Sequence, residues 1–409
     1  MRLTRPLSST MLIAWLLLPC GLPAQAKPRA RDLGVPFEGT TGPLNAITDV
    51  AGVEVGQVTL ISGEGRLVVG KGPVRTGVTA IFPRGRENSD PVFGAWWTLN
   101  GNGEMTGTTW LEESGFLWGP VTITNTLSVG LVRDAVIAWA LGRHYSDFDI
   151  ALPVTAETWD GPLNDIDGFH VARADAFTAL DGARGGAVAE GNVGGGTGMI
   201  CYEFKGGIGT ASRRLPASEG GYTIGVLVQC NNGYRDRLTI AGVPVGQEIP
   251  DLMPCFALPN QTSTEREYGP CGSARGELPG AGRGHELGSI IIVIATDAPL
   301  LPTQLKRLAK RAALAVGRTG GTGGDSSGDI FLAFSTANPG AAVTGGGTGT
   351  VTMWPNYLLD PLFAAVIGAT EEATINAMVA AETMTGADGF TVYALPHDRL
   401  QAALKKYGR

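Results

Sequence analysis

Short runs of apolar residues recur along the chain and predict buried β-strands. The clearest cover residues 121–125, 199–204, 222–230 and 289–296, and another strand is predicted within residues 325–338, after a short polar turn. These runs are rich in β-branched or aromatic residues and have glycine close by, a combination that favours strands.

Three other segments have apolar residues at spacings of three and four, which predict helices. They cover residues 131–141, 304–316 and 371–381, and each is long enough to cover the face of a sheet. Because strands and helices are mixed throughout the chain without a regular βαβ repeat, we expect an α/β fold with layered sheets in one domain.

The first residues have the pattern of an export signal. Two arginines precede an apolar run over residues 11–18, and the stretch AQA at 24–26 matches an A-x-A cleavage site. The run is too short to span a bilayer, and no other segment approaches that length. We therefore expect a signal peptide over residues 1–26, a periplasmic or secreted mature chain that begins at Lys27, and no membrane partner.

Composition and charge narrow the class of protein. Of the 409 residues, 43% are hydrophobic and 17% are charged, and 61 are glycine. This composition provides enough apolar mass for a large core and too little charge for a disordered chain, while glycine without a G-X-Y period indicates tight turns and loops. The formal net charge is −7. We therefore expect no nucleic-acid partner, because a polyanion would be repelled.

The cysteines suggest one disulfide. Cys255 and Cys271 flank an irregular stretch rich in proline and glycine, as expected of a disulfide that closes a long loop in a secreted protein. Cys201 and Cys230 lie within apolar runs, so we expect them to be buried free thiols. The cysteines lack C-x-x-C spacing and the four histidines are scattered, so no structural zinc is predicted.

Ser289 directly follows Gly288 and opens a continuous apolar strand, which is a good position for a nucleophile. This segment alone favours a serine that merely begins a strand, since serine is common at strand ends. The wider sequence changes that interpretation.

Ordered motifs along almost all of the mature chain resemble those of a known family. They read GPLNAITDVAGVEVG (42–56), NGNGEMTGTTWLEESG (100–115), TNTLSVG (124–130), ETWDGPLNDIDGFHV (157–171), FKGGIGTASR (204–213), GVLVQCNNG (225–233) and GSIIIVIATDAPLLP (288–302). In these motifs the chain resembles the DmpA/BapA family of self-processing aminopeptidases. The resemblance implies a layered αββα sandwich like that of the N-terminal-nucleophile hydrolases. It also implies a cut between Gly288 and Ser289, which gives an α chain (27–288) and a β chain (289–409) of a single catalytic domain.

Elementary chemistry agrees with such a cut. A serine hydroxyl is a weak nucleophile and needs a base, yet the sequence has no histidine triad motif and no S-x-x-K before a plausible serine. The α-amino group freed by cleavage has an ordinary pKa of about 7.7 to 8.0, so it can accept the Ser289 proton near neutral pH. Gly288 also suits the cleavage step, because a residue without a Cβ tolerates a distorted backbone.

The resemblance assigns further catalytic residues. It implies that Ser289 is the nucleophile. It also implies that Ser327 and Asp329 orient and tune the new amine, and that Asn231 binds the oxyanion. Some relatives have Glu where this chain has Asp329. Ser327 and Asp329 could instead form a turn before a strand, Asn231 could be an Asx-turn residue, and the neighbouring Ser326 and Asn232 remain alternatives.

The resemblance also suggests substrate-binding residues. A tyrosine that assists the oxyanion in relatives is replaced by Trp159, whose indole donates a hydrogen bond but cannot accept a proton. Glu104, Asn125 and Asp160 would line the pocket or hold the substrate's ammonium group, although capping or turn roles fit them equally well. No cofactor is expected, because the glycine-rich residues 192–198 lack the P-loop pattern.

Three functions are compatible with the sequence. The leading one is an exported aminopeptidase that removes N-terminal residues, with β-amino and D-residues as candidates, from short peptides, amides or esters. The alternatives are an acyltransferase of the ornithine acetyltransferase type and an uncleaved, non-enzymatic periplasmic binding protein. The relatives suggest a homo-oligomer, a tetramer of αβ units.

Overall fold

A computed structural model of the chain describes residues 27–145, 152–258, 268–272, 288–343 and 346–409. The predicted signal peptide lies outside the described residues. In these ranges the strands are β1 (Glu54–Ser62), β2 (Val74–Phe82), β3 (Val92–Thr98), β4 (Phe116–Leu117), β5 (Val121–Asn125), β6 (Val154–Thr158), β7 (Ile200–Cys201), β8 (Phe204–Lys205), β9 (Gly207–Arg214), β10 (Thr223–Asn231), β11 (Cys255–Phe256), β12 (Gly288–Thr296), β13 (Ser327–Ser335), β14 (Met384–Thr385) and β15 (Phe390–Val392). The helices are α1 (Thr108–Ser114), α2 (Val129–Gly142), α3 (Arg173–Asp181), α4 (Val245–Glu248), α5 (Pro302–Arg318), α6 (Asp360–Val379) and α7 (His397–Lys406).

Two sheets form the centre of the molecule. The larger has six strands in the order β4-β3-β13-β12-β10-β9, and the smaller has four in the order β1-β2-β5-β6. In the larger sheet β12 pairs parallel with β13 and antiparallel with β10. The strand that carries Ser289 is therefore a central one.

Alternate residues of β12 face two different cores, as the two-residue period of a strand requires. Ile290, Ile292 and Ile294 pack with side chains of α5 and α6, whereas Ile291 and Val293 pack with side chains of β5 and β6. On the far side of the smaller sheet, residues of β2 pack with α2 and α3. The order of layers is helices, sheet, sheet, helices, which confirms the α/β fold and the αββα sandwich.

The local patterns predicted most elements correctly. Residues 121–125, 222–230 and 289–296 form β5, β10 and β12, and the three predicted helices fall within α2, α5 and α6 apart from the last residues of the third. The single strand predicted over 199–204 is wrong. Tyr202 and Glu203 have positive φ angles of 51° and 58°, so the chain turns there and forms the β7–β8 hairpin.

Helix α6 corrects the expectation that no segment after the predicted signal peptide approaches a membrane-spanning length. It has 20 residues and is apolar enough to cross a bilayer, but most of it is buried within the protein. It packs against β9, β10 and α5. Its apolar character on several faces is that of a helix in the interior of a large core.

An ion-pair network attaches α6 to the N-terminal segment that contains Arg31. Glu372 accepts from Arg31 Nε and Arg213 Nη2, both at 2.8 Å. The side chains of Glu372 and Arg213 are only 1% and 3% exposed. Burial lowers the pKa of Arg213, and the Glu372 carboxylate opposes that shift.

The structure contains two disulfides among its described residues. One joins Cys255 to Cys271 and the other joins Cys201 to Cys230. The expectation of free thiols at Cys201 and Cys230 is therefore wrong. The β7–β8 hairpin brings Cys201 beside the end of β10, with the two Cα atoms 5.5 Å apart, within the usual range for a disulfide.

Candidate active site

Ser289 lies at the start of β12 and is 5% exposed. Strand alternation places its side chain on the same face as Ile291 and Val293, between the two sheets. Its Oγ accepts a hydrogen bond from the backbone N–H of Gly328 at 3.1 Å. Gly328 is also the residue of β13 that pairs with Ser289 in the parallel register. Because Gly328 has no side chain, β13 places no side chain next to the hydroxyl at that position.

Gly288 is a position that only glycine fits. Its φ angle is +147°, a conformation that L-residues with a side chain rarely adopt, and an added Cβ would lie 2.0 Å from the backbone oxygen of Asn231. The peptide bond proposed for cleavage therefore follows a residue whose backbone is held close to β10.

Asn231 is the direct partner of Ser289 in the antiparallel register of β10 and β12. Its Oδ1 accepts from the N–H of Ile200 at 2.7 Å, and its Nδ2 donates to the carbonyl oxygen of Trp159 at 2.9 Å. Asn232 lies on the other side of the strand, where its Nδ2 is close to Gly321. The register thus favours Asn231 over Asn232 as the neighbour of the nucleophile.

Ser327 and Asp329 lie on β13 opposite Gly288 and Ile290. Asp329 is 1% exposed, and its Oδ1 accepts from Ser327 Oγ at 2.7 Å and from the N–H of Ile290 at 3.2 Å. The pair therefore contacts the backbone next to Ser289. An amine at Ser289 would lie beside this carboxylate.

Asn100 holds Asp329 from the other side and was not identified from the sequence. Its Oδ1 accepts from the Asp329 N–H at 2.6 Å, and its Nδ2 donates to Asp329 Oδ2 at 3.3 Å. A signal for it existed, since Asn100 opens the motif NGNGEMTG. Nothing within that motif distinguished Asn100 from Asn102.

Glu157 is a second residue that sequence reasoning missed. It is 3% exposed, and its carboxylate accepts from the Glu104 N–H at 2.8 Å and from Thr126 Oγ1. A Cβ on Gly103 would lie 3.3 Å from Glu157 Oε1 and 3.1 Å from the Cα of Gly328. The carboxylate is therefore near the backbone that contacts Ser289.

Burial and nearby groups shift the pKa of Glu157. Desolvation raises the pKa of Glu157, and the nearby charge of Glu104 raises it further, while the hydrogen bonds from Thr126 and the Glu104 N–H lower it. Glu104 itself is exposed on the loop above Gly328. β6 and the loop between β3 and α1 thus bring together two carboxylates, which can bind a cation.

The structure gives Asn125 a capping role. Its Oδ1 accepts from the Ser128 N–H at 2.9 Å and its Nδ2 donates to Thr76 Oγ1 at 2.7 Å. Its amide thus binds within the fold and begins a helical turn, the alternative that the sequence left open.

Asp160 and Lys205 are both fully buried. Desolvation raises the pKa of Asp160 to about 7, against hydrogen bonds from side chains that include Asn164. Desolvation also lowers the pKa of Lys205 well below its ordinary value, while the charge of Asp160 opposes that shift. Lys205 Nζ donates to the carbonyls of Met199 and Gly206 at 2.7 and 2.9 Å, so its role in the described contacts is to brace the β7–β8 hairpin.

Trp159 is half-buried, and its backbone carbonyl accepts a hydrogen bond from Asn231 Nδ2. The indole covers Gly161, where an added Cβ would lie 2.6 Å from a ring atom. Trp159 thus forms a wall of the region around Asn231.

The arrangement can support acyl transfer. A hydroxyl, an adjacent amide and a carboxylate beside the future amine are the components of a nucleophile, an oxyanion donor and a tuned base. Among the described residues, no group of three or more His, Cys, Asp or Glu side chains is arranged to hold a metal ion.

Comparison with known proteins gives the family. The chain matches the model of peptidase family S58 over residues 45–392. It is 54% identical over 398 residues to the beta-peptidyl aminopeptidase BapA of Sphingosinicella microcystinivorans, with 97% of each chain covered. It is 50% identical over 386 residues to the protein of the same name from Sphingosinicella xenopeptidilytica, covering 93% of this chain and 92% of that one.

Solved structures agree with the sequence comparison. The L-aminopeptidase D-Ala-esterase/amidase of Ochrobactrum anthropi, described as a variant of the Ntn hydrolase fold, matches with a TM-score of 0.81 and 48% identity over 94% of this chain and 99% of that one. A β-aminopeptidase from Burkholderia sp. matches with a TM-score of 0.79 and 45% identity, over 93% and 99% of the two chains. The expected fold relationship and the aminopeptidase assignment are confirmed, and the alternatives of an acyltransferase and a binding protein gain no support. The chain belongs to peptidase family S58 and is an aminopeptidase.

Proposed function

We propose that the protein is exported, cuts itself between Gly288 and Ser289, and then hydrolyses the N-terminal residue from short peptides, amides or esters through an acyl-enzyme on Ser289. The observation that carries the proposal is the placement of the Ser289 hydroxyl. It accepts a hydrogen bond from Gly328 and lies on the strand position directly opposite Asn231.

Self-cleavage begins with attack of Ser289 Oγ on the carbonyl carbon of Gly288. The C–N bond breaks as the C–O bond forms, so the acyl group moves from nitrogen to oxygen and the nitrogen becomes a free amine. Water then hydrolyses the ester, which leaves a carboxylate on Gly288 and the hydroxyl on Ser289. The unusual φ angle of Gly288 suits the strained geometry of this shift.

In turnover, the new α-amino group accepts the proton of Ser289 Oγ while the oxygen attacks the substrate carbonyl. The protonated amine then donates to the leaving amine or alcohol, and water hydrolyses the acyl-enzyme. Ser327 and Asp329 are the groups we assign to this amine. A carboxylate near an ammonium group raises its pKa and keeps it in position.

Asn231 is assigned to the oxyanion. One hydrogen of its Nδ2 is engaged by the Trp159 carbonyl, and the second can donate to the negatively charged oxygen. One such donor contributes about 3 to 4 kcal/mol to the stability of a tetrahedral intermediate.

Glu157 and Glu104 are assigned to the ammonium group of the substrate. Glu157 on β6 and Glu104 on the loop between β3 and α1 lie near the backbone of Gly328. The requirement for a free N-terminus distinguishes an aminopeptidase from other peptidases. The names of the matched relatives, beta-peptidyl aminopeptidase and L-aminopeptidase D-Ala-esterase, support β-amino and D-residues as candidate substrates.

Export and assembly are part of the proposal. The signal-like residues 1–26 support release to the periplasm or medium, and two disulfides suit an oxidising compartment. We expect a homo-oligomer, a tetramer of αβ units, which light scattering on the purified protein would test.

Two variants of Ser289 test the mechanism. Ser289→Ala should remain one uncut chain without activity, because neither acyl transfer can occur without the hydroxyl. Ser289→Cys should be processed better than it turns over substrate, because a thiol performs the shift but alters the later chemistry. A Ser289→Ala protein that is still cut before residue 289 and still hydrolyses an aminoacyl p-nitroanilide would exclude Ser289 as nucleophile.

A further inference from the structure

The Cys201–Cys230 disulfide lies directly beside Asn231. Cys230 immediately precedes Asn231 on β10, and Cys201 immediately follows Ile200 on β7. Ile200 is the residue whose N–H donates to Asn231 Oδ1 at 2.7 Å. The covalent link therefore joins the residues adjacent to the two partners of that hydrogen bond.

The orientation of the Asn231 amide depends on this hydrogen bond. Oδ1 faces a donor at Ile200 and Nδ2 faces an acceptor at the Trp159 carbonyl, so a flipped amide would oppose donor to donor and acceptor to acceptor. The second Nδ2 hydrogen then points in one direction only. Moving Ile200 would allow the amide to rotate about its side-chain bonds.

The element that carries Ile200 is small. β7 has two residues and pairs with the two-residue β8 in a separate hairpin, not in the six-stranded sheet. Besides the bond to Asn231, the hairpin makes a second contact near the end of β10. The N–H of Tyr202, in the hairpin turn, donates to the Asn232 carbonyl at 2.7 Å. So short a pairing has little stability of its own, and the disulfide adds a bond that does not break in thermal fluctuations.

The hairpin and β10 are also packed without free space at the disulfide. A Cβ on Gly206 would lie 2.5 Å from the Cys230 carbonyl oxygen and 2.7 Å from the Cys201 Cβ. Both cysteines are fully buried. A disulfide in this position therefore restricts movement of the hairpin relative to Asn231.

We propose that the Cys201–Cys230 disulfide is a positioning element of the oxyanion site: it holds Ile200 against Asn231 and thereby aims the Asn231 N–H at the reacting carbonyl. The proposal rests on the oxyanion role assigned to Asn231 above. Without the link the fold remains, but the amide samples more orientations and stabilises the tetrahedral intermediate less.

The first test compares two disulfide deletions in the mature enzyme. Cys201→Ala with Cys230→Ala should lower kcat for an aminoacyl p-nitroanilide about ten-fold and leave KM close to wild type, since a displacement of about 1 Å at a reacting group can lower the rate 10²-fold. Cys255→Ala with Cys271→Ala is the matched control, because it also removes one disulfide, but one whose cysteines do not adjoin Asn231 or Ile200 in the chain, and it should retain kcat. Equal kcat in both double variants and wild type would overturn the proposal.

A double-mutant cycle separates this proposal from the assigned function. Asn231→Ala alone should lower kcat about 10²-fold, and removing the disulfide from Asn231→Ala should lower it no further, because the disulfide acts through that side chain. If Asn231→Ala retains wild-type kcat, the oxyanion role itself is wrong. If Asn231→Ala lowers kcat, and loss of the disulfide lowers it further by the same factor as in the protein with Asn231, only the positioning role is wrong.

Reduction of the wild-type enzyme covers the case in which the alanine variants do not fold. Dithiothreitol breaks the S–S bond, each cysteine sulfur gains a hydrogen, and the reagent is oxidised to its cyclic disulfide. The fall in kcat should follow the appearance of free thiols at Cys201 and Cys230, measured by mass spectrometry on aliquots that are alkylated after denaturation, and it should reverse when the unalkylated enzyme is reoxidised. Wild-type kcat in folded enzyme with both cysteines reduced would overturn the proposal.

Discussion

Replacing Asp329 by asparagine should shift the pH dependence of turnover to lower pH. The Ile290 nitrogen lies 3.2 Å from Asp329 Oδ1, and one residue of extended chain adds at most about 3.5 Å. The α-amino group of a processed Ser289 therefore lies within about 7 Å of the carboxylate. The negative charge stabilises the ammonium form and raises its pKa, so loss of the charge lowers that pKa.

Coulomb's law gives the size of the shift. At about 7 Å the attraction is about 2.4 kcal/mol at an effective dielectric constant near 20 and about 0.6 kcal/mol in water. With 1.36 kcal/mol per pH unit, these energies correspond to shifts of about 0.4 and about 1.7 units at that distance. The acidic midpoint of kcat/KM should therefore move down by about one unit.

The assay is the pH profile of kcat/KM for one aminoacyl p-nitroanilide, with cleavage of each variant first checked by mass. The substrate's own amine titrates identically with every variant, so it does not affect the difference between them. Asp329→Glu keeps the charge and is the matched control, which should retain the wild-type midpoint. An Asp329→Asn midpoint that is unchanged or higher than wild type would refute the assignment of Asp329 to the amine.

Three further substitutions have defined outcomes. Glu372→Ala leaves Arg213 buried without its carboxylate partner and should lower the free energy of unfolding by about 3 to 5 kcal/mol; urea denaturation showing a loss below about 1 kcal/mol would contradict this. Asp160 has its pKa raised by burial to about 7, so its stability contribution is complete below the ordinary carboxyl pKa and is lost as pH rises toward 7. The free energy of unfolding of wild type should therefore fall by about 2 to 4 kcal/mol more between pH 4 and pH 8 than that of Asp160→Asn, and parallel pH profiles for the two proteins would exclude that role. Glu157→Gln removes a buried charge near Gly328 and should raise KM for an aminoacyl p-nitroanilide about ten-fold with kcat little changed; an unchanged KM would remove Glu157 from the ammonium site.

Periodicity identified the elements that are regular over many residues. β10 and β12 are continuous apolar runs because both of their faces are covered, one by helices and one by the second sheet. Such runs are visible without any knowledge of their neighbours. The β7–β8 hairpin was missed because its turn is made by Tyr202 and Glu203, residues that do not signal a turn.

The site could be predicted only as far as single motifs allow. Ser289 and Asn231 each lie in a motif that resembles the family, and pairing of β10 with β12 places them opposite each other. Glu157 and Asn100 contribute through contacts between segments far apart in the chain, and the Cys201–Cys230 disulfide depends on the same hairpin turn that the pattern did not reveal. Local sequence cannot encode which loop covers which strand end, because that is set by the packing of the two sheets.

The measurement that tests the central claim most directly is the intact mass of the purified mature protein under denaturing, non-reducing conditions. All four cysteines of the two disulfides precede Gly288, so no cross-link between them joins the predicted chains and they should separate without a reductant. We predict two masses, one for residues 27–288 and one for residues 289–409 with a free amino group on Ser289. A single uncut chain in active enzyme, or a smaller chain that begins at another residue, would contradict the account.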